Sequence, residues 1–264
     1  MKKFRDIFIV LVYRNIDDLV DFLKSIKNSV ADYHIIVVNS YYDQDSMLQI
    51  KKVAENYDCD FVNTENKGYG HGNNVGLQFA RDNYDFDRVV ISNPDIIIKE
   101  YHQDELDKLD SAAIGGIVEN INGSFQNPLA YFNNKFSSWL IYNGLKYNHR
   151  TLFSIGLAIN KITRIFCMIG FKKDFLKVFA VHGCFFVLTL KVVESIDQLF
   201  DENIFMFGEE VDLGYKLQEL GIPVYFTKWI SVFHKEDGSQ KFSKLNSSSE
   251  MKKSNIYVYE KHRK

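Results

Sequence analysis

The sequence predicts an α/β chain with a mainly parallel central sheet flanked by helices. Three observations carry that expectation. Over the first hundred residues, short β-branched apolar runs alternate with stretches whose apolar residues recur at helical spacing. The connections are short, which favours right-handed strand–helix–strand crossovers and parallel pairing. The 264 residues, 46% hydrophobic and with three prolines, suit one large domain or two small ones and leave little room for a linker.

The elements follow in order. Ile7–Tyr13 (IFIVLVY) is a continuous apolar run of the kind expected for a strand covered on both faces. Ile16, Leu19, Val20, Leu23 and Ile26 mark a helix with Asn15 placed to cap it. His34–Asn39 is the second strand, and Met47, Ile50, Val53, Ala54 and Tyr57 mark the second helix. A short strand near Asp60–Asn63 leads into a glycine-rich loop and a helix through Leu77 and Ala80, and Arg88–Ser92 is the fourth strand. Further on, Tyr131–Lys191 reads as helices followed by a strand at Gly183–Leu190. Gly208–Leu220 reads as a helix with an acidic start, and Val224–Phe226 and Ile230–His234 as two further strands. Beyond Lys235 the tail is polar, with Ile256–Tyr259 packing back on the body.

Composition excludes several classes. With 32 Lys+Arg against 34 Asp+Glu, the chain lacks the basic footprint of a nucleic-acid binder. Cys59, Cys167 and Cys184 are odd in number and widely spaced, which indicates neither a disulfide framework nor a zinc site and suits a reducing, cytoplasmic setting. Lys2, Lys3 and Arg5 before Ile7–Tyr13 mimic a signal peptide, but the apolar run is too short and Arg14-Asn15 replaces a cleavage site. No stretch reaches the roughly 20 apolar residues that a bilayer span requires.

In an open parallel sheet, ligands bind outside the carboxyl ends of the strands. Tyr13-Arg14, Asn39-Ser40, Asn66–Asn74 and Asn93-Pro94-Asp95 occupy those places. The loop Asn66–Gly76 holds four glycines, which permit close backbone approach, and it opens a helix whose amides favour anions. It is neither a dinucleotide fingerprint, since Gly76 comes one position late, nor a Walker loop, and an ordinary turn explains it equally well. Asp95, set by Pro94 at the ligand edge, is a carboxylate suited to Mg²⁺ or Mn²⁺ on a diphosphate, although Asn-Pro-Asp is also a plain turn. Glu209, Glu210 and Asp212 crowd one helix start, where the helix dipole alone accommodates acids but mutual repulsion can raise one of them into the range of a base. His234 closes a strand and is either a metal or diphosphate ligand or a structural histidine.

Taken in series, these motifs resemble the family 2, GT-A-fold inverting glycosyltransferases, especially the bacterial branch building rhamnose-containing, capsular or O-antigen polysaccharides. The resemblance runs from Ile7 into the tail. It includes Glu65-Asn66-Lys67-Gly68 with Gly72-Asn73-Asn74-x-Gly76, Ile91–Ile96, and His182–Phe186. It continues through Phe200-Asp201-Glu202 to Glu209-Glu210-Val211-Asp212-Leu213, and His234 with Gly238-Ser239. It implies a Rossmann-like sheet with a helical acceptor-side insertion, a UDP- or dTDP-sugar donor, and a glycan or lipid-diphosphate-linked acceptor. By the same resemblance Asp95 and His234 hold Mg²⁺ or Mn²⁺, Glu210 is the general base, and Glu209 orients it or binds acceptor. Tyr13, Asn39, Asn66, Gly72, Asn73 and Asn93 serve the nucleotide-sugar, and His182 and Asp212 the acceptor. Three positions depart from the family pattern: Asn39-Ser40 for Asp-Asn, Glu-Glu for Glu-Asp, and Lys216 for Arg.

The expected organisation is one domain over 1–264. It comprises a donor half at 1–100, an acceptor and catalytic half at 101–235 with helices near 131–180, and a tail at 236–264. A catalytically silent carbohydrate-binding or scaffold subunit is the alternative from another class. A sugar nucleotidyltransferase fits less well, because its Lys/Arg-containing glycine-rich loop after the first strand is missing. Ser154–Phe171 interleaves apolar residues with Lys161 and Arg164, which suits either an anionic membrane surface at the inner face of the plasma membrane or packing on the sheet or in a homodimer.

Overall fold

The computed structural model describes residues 1–169, 171–236 and 247–263, without the side chains of 167–169. The side chains of Cys167 and Ile169, and residues Gly238 and Ser239, therefore lie outside the described residues.

The amino-terminal half alternates as the sequence predicts: β1 (Lys2–Val12), α1 (Ile16–Ser29), β2 (Tyr33–Tyr41), α2 (Gln44–Asn56), β3 (Asp60–Glu65), α3 (Tyr69–Asn83) and β4 (Tyr84–Ser92). Asn15 caps α1 through its side-chain oxygen, which accepts from the Asp18 amide. The rest comprises β5 (Ile96–Tyr101), α4 (Gln103–Leu106), β6 (Ala113–Asn120), α5 (Lys135–Lys146), α6 (Arg150–Ile169), β7 (Phe175–Val178), β8 (Phe185–Thr189), α7 (Leu190–Ser195), α8 (Glu209–Glu219), β9 (Val224–His234) and α9 (Ser247–His262).

Among the described residues the strands form one sheet in the order β3-β2-β1-β4-β8-β6-β9-β5, with β7 pairing β9. The ladders joining β3, β2, β1 and β4 are parallel, whereas β8 runs antiparallel to both β4 and β6. The sheet is therefore mixed, with a parallel half. The expectation of a mainly parallel sheet holds for the first four strands, while the rest of the sheet is mixed. Val224–His234 is one strand, not two: its pairing with β6 shifts register between Gly115 and Ile117, and the strand passes continuously through Thr227–Trp229.

Side chains of β1 alternate between two cores, as period-2 geometry requires. Phe8, Val10 and Val12 pack with Leu19, Phe22 and Ile26 of α1 and Ile50 of α2. Ile7, Ile9 and Leu11 pack with Leu77 and Ala80 of α3, Val192 of α7 and Leu213 and Leu217 of α8. Each fully buried aliphatic or phenyl side chain contributes roughly 1.5–3 kcal/mol before entropy is counted. The result is a sheet covered on both faces, which leaves its carboxyl edge open to build a site.

The glycine-rich stretch is mostly helix rather than loop, because α3 already begins at Tyr69. Its glycines serve packing. A Cβ on Gly72 would lie 2.3 Å from Leu11 Cδ1, and one on Gly76 would lie 2.4 Å from Ile9 Cγ2. α3 thus approaches β1 closer than any larger residue permits.

Candidate active site

Three chain segments meet at the open edge. Asn93-Pro94-Asp95 bridges the end of β4 and the start of β5. It is pinned by backbone bonds from Asn93 N to Cys184 O (2.8 Å) and from Lys235 N to Asp95 O (3.0 Å). Ile96 pairs with His234 across β5 and β9, so the strand register brings the end of β9 beside Asp95. The third segment is the start of α8, entered through Gly208 in the left-handed region (φ 96°). Together they surround a cavity of ≈ 730 Å³, within the range expected of a small-molecule site.

Of the residues singled out from sequence, Tyr13, Asn66, Asn93, Asp95, His182, Glu209, Glu210 and His234 line this cavity. Four others are placed elsewhere. Asn39 is buried in the sheet, its amide nitrogen donating to Asn63 Oδ1 at 2.6 Å, and the adjacent Ser40 reaches the cavity instead. Gly72 lies under Leu11, and Asn73 is buried with its amide nitrogen donating to Tyr69 O. Asp212 turns towards α9, where it accepts from His262 Nε2 and Lys261 Nζ, both at 2.7 Å. Asn39, Asn73 and Asp212 share one cause: each sits inside a regular element whose periodicity carries its side chain away from the edge.

Glu210 is held by backbone, not by another charge. Its Oε1 accepts from the Gly183 amide at 3.1 Å, and the Gly183 carbonyl accepts from the Tyr69 hydroxyl at 2.7 Å. A Cβ at Gly183 would lie 2.7 Å from Glu210 Oε1, so a larger residue here would push the carboxylate from this position. Glu209 is almost fully buried, and its Oε1 has no hydrogen-bond partner among the described residues. Burial, with the adjacent Glu210 charge adding to it, pushes Glu209 up to about 8, although backbone amides offset part of the rise. At neutral pH Glu209 is therefore mostly a neutral acid able to donate a hydrogen bond.

The two cavity histidines have assigned roles for their ring nitrogens. His182 Nδ1 accepts from the Cys184 amide at 3.1 Å, which leaves the proton of a neutral ring on Nε2. Burial lowers the His182 pKa, with Glu210 opposing and His234 reinforcing that shift. Gln126 donates through its amide nitrogen to Glu236 at 2.7 Å, so its oxygen faces His234 Nδ1 at 2.7 Å and calls for an N–H there. With Nδ1 bonded to Gln126, the ring turns Nε2 towards Asp95 Oδ2, 3.4 Å away. An imidazole nitrogen and a carboxylate oxygen so close together are atoms that a divalent cation can take as ligands. Among the described residues no group of three or more His, Cys, Asp or Glu is arranged to hold a metal. Asp95 and His234 are at most a partial set, one carboxylate and one imidazole, which a divalent cation would have to complete with phosphate oxygens and water.

Gln126 and Glu236 line the cavity without having been singled out from sequence, while Ser40 and Tyr69, named there only among the strand-end stretches, line it as well. Gln126 lies on a loop distant from any strand end that the hydropathy pattern marks, and Glu236 falls just past the end of β9 in a stretch that reads only as polar tail, so their spatial convergence shows the role. Conversely, the Asp201-Glu202 pair acts structurally. Asp201 accepts from Tyr257 and Lys261 of α9, and Glu202 accepts from Asn74 and faces His71 Nδ1, both on α3. Lys216 donates to the Gln198 and Leu199 carbonyls at 2.7 and 3.1 Å, bracing the same segment.

Comparison with known proteins supplies the class. No protein-family profile matches the chain. Rhamnosyltransferase WbbL of Escherichia coli (strain K12) is 25% identical over 236 residues, covering 86% of this chain and 83% of that protein. Low-salt glycan biosynthesis hexosyltransferase Agl10 of Haloferax volcanii is 24% identical over 237 residues, covering 89% and 69%. Among solved structures, GalNAc-T7 with UDP, GalNAc and Mn²⁺ superposes with a TM-score of 0.65 at 11% identity over 97% of this chain and 48% of that one. S. aureus TarS gives 0.57 at 15% identity over 88% and 36%. This chain therefore spans about half or less of each solved neighbour, and those two likenesses concern the fold.

Proposed function

We propose that this chain, a glycosyltransferase of the GT-A fold that serves polysaccharide synthesis, works by inverting transfer from a UDP- or dTDP-sugar to a hydroxyl of a glycan or lipid-diphosphate-linked acceptor. The observation carrying the proposal is the convergence of Asp95, His234 and Glu210 on one cavity from three segments far apart in sequence.

In this reading Glu210 is the general base. It takes the proton from the acceptor hydroxyl as that oxygen attacks the anomeric carbon, while the bond from that carbon to the diphosphate breaks and the nucleoside diphosphate leaves. The Gly183 amide aims one Glu210 oxygen and leaves the other for the acceptor. Glu209, largely protonated, donates to a sugar or acceptor oxygen. His182 offers its Nε2–H to the acceptor side. Tyr13, Ser40 and Asn66 flank the donor at the ends of the parallel strands. Asp95 and His234 would hold Mg²⁺ or Mn²⁺, which supplies positive charge for the leaving diphosphate. A GT-A neighbour solved with UDP and Mn²⁺ supports that assignment.

A thermal-shift panel of UDP-, dTDP- and GDP-sugars with Mn²⁺ tests the donor and cation together. A matching donor at about 100 times its Kd adds roughly 2.7 kcal/mol of stability. Asp95→Asn should abolish the Mn²⁺-dependent part of the shift while melting like wild type without ligand. An unchanged Mn²⁺-dependent shift in that variant would remove Asp95 from the cation.

A further inference from the structure

The helical pair α5–α6 is built inside out for a part of a soluble protein. The helices meet through small residues: a Cβ on Gly144 would lie 2.5 Å from Phe153 N, and one on Gly156 would lie 2.7 Å from Ile141 Cγ1. Ser137 Oγ donates to Asn160 Oδ1 at 2.6 Å between them. On its other side α5 is seated on α9, with Tyr142 stacked on Tyr259 at 4.2 Å and bonded to Glu260. With glycine, serine and asparagine filling the helix contact, the large apolar side chains point outward. Ile155, Ile162, Ile165 and Phe166 of α6 are exposed, Phe166 at 71%. At 100° per residue, Ile155, Ile162 and Phe166 fall within about 40° of one another, one continuous stripe. Phe136 and Trp139 of α5, stacked at 6.4 Å, are exposed as well.

The charge of this region is equally one-sided. Residues 131–173 contain seven lysines and arginines and not one aspartate or glutamate, in a chain of net charge −2. Among the described residues Lys146 alone of them is drawn into an ion pair, with Glu260. Lys161 lies about 40° round the helix from Ile165 and Arg164 about 60° beyond Lys161, so both border the exposed face on the Ile165 side.

We infer that the outer face of α5–α6 docks on an anionic lipid bilayer surface, with Ile155, Ile162 and Phe166 entering the headgroup region and Lys161 and Arg164 meeting lipid phosphates. Charge decides among occupants. A second copy seated on the same face would set one acid-free, basic patch against another, which a two-fold contact cannot relieve. A bilayer rich in acidic headgroups complements both the stripe and the charge. No helix of the described residues is long and apolar enough to cross a membrane, so the contact lies along the surface. Exposed Trp139 and Phe136 suit the interface, where aromatic rings concentrate. This goes beyond the transfer reaction and is measured without any donor sugar, so either reading can fail alone.

The test uses Trp229→Phe, which leaves Trp139 as the single tryptophan. Vesicles of phosphatidylcholine are compared with vesicles in which about a third of the lipid is phosphatidylglycerol. Trp139 emission should shift to the blue and the protein should sediment with anionic vesicles only, with release at high salt. Lys161→Glu with Arg164→Glu should weaken binding at least about 30-fold, from two lost phosphate contacts. Ile162→Asp with Phe166→Asp should abolish the blue shift while the variant melts like wild type. Absence of sedimentation with anionic vesicles at physiological salt would overturn the inference. So would a lipid-free dimer that Phe166→Asp dissolves.

Discussion

Asp6 in β1 and Glu209 at the start of α8 are both buried carboxylates, but their surroundings are opposite. Asp6 accepts from Arg88 Nε at 2.7 Å and Nη2 at 3.1 Å, from the Tyr101 hydroxyl at 3.0 Å and from Gln103. Arg88 is in turn bonded to Asp107. Every oxygen of Asp6 is satisfied by protein, and the network ties β1, β4, β5 and α4 together below the cavity. Glu209 has an oxygen without a described partner, faces the cavity and carries a raised pKa. Buried charge that is fully paired holds a structure together. A buried carboxyl left incomplete at an open edge is held ready for a ligand.

Breaking the closed network has the largest expected effect on folding. Asp6→Ala leaves the buried Arg88 guanidinium with Asp107 as its one remaining carboxylate and should cost about 3–5 kcal/mol, read as a Tm lower by roughly 6–20 °C. A melt within a degree of wild type would contradict the contrast at its structural end.

Glu209→Gln sharpens the other end. Its pKa is raised from 4.5 to about 8, so between those values the folded chain keeps a proton that the unfolded chain releases. Stability contributed by this group therefore falls as pH rises through that window, by at most about 1.4 kcal/mol per pH unit. Glu209→Gln should flatten the decline in Tm between pH 5 and 8, with the variant ahead by a few degrees at the alkaline end. An identical Tm–pH slope in both proteins would show that Glu209 is not held neutral.

Gln126→Ala should have the smallest effect on folding, about 1 kcal/mol for one hydrogen bond. Its consequence at the edge is larger, because His234 loses the acceptor that sets its tautomer. Mn²⁺ affinity should fall about 10- to 100-fold, read by titrating Mn²⁺ in the thermal-shift assay. Unchanged affinity would mean that the Gln126–Glu236 pair does not orient the histidine.

The same division explains what was legible in the sequence. The first four strands and three helices stand out because each is a local apolar run or stripe, and Asp95 falls just past the fourth strand, while Glu210 opens α8 and His234 closes β9. β6 escapes notice because Gly115-Gly116 interrupts its apolar pattern. The structure needs that gap, since a Cβ on Gly116 would lie 2.4 Å from Ile230 Cβ. β9 reads as two strands because Thr227–Trp229 looks polar in sequence. Thr227 is in fact fully buried, and its hydroxyl donates to Asp174 O. Asn39, Gly72, Asn73 and Asp212 carry motif-like chemistry that the fold spends on packing and helix docking. Gln126 and Glu236 matter only through contacts with residues far along the chain, which no local pattern encodes.

The proposed base is tested most directly by following nucleoside diphosphate release from the donor that stabilises the wild-type protein, in Glu210→Gln beside wild type. The amide keeps the bond from Gly183 through its oxygen but cannot take a proton. Release should fall by about 10²–10⁴-fold while donor binding and Tm are unchanged. A Glu210→Gln protein that turns over donor at the wild-type rate would contradict the assignment of Glu210 as the base.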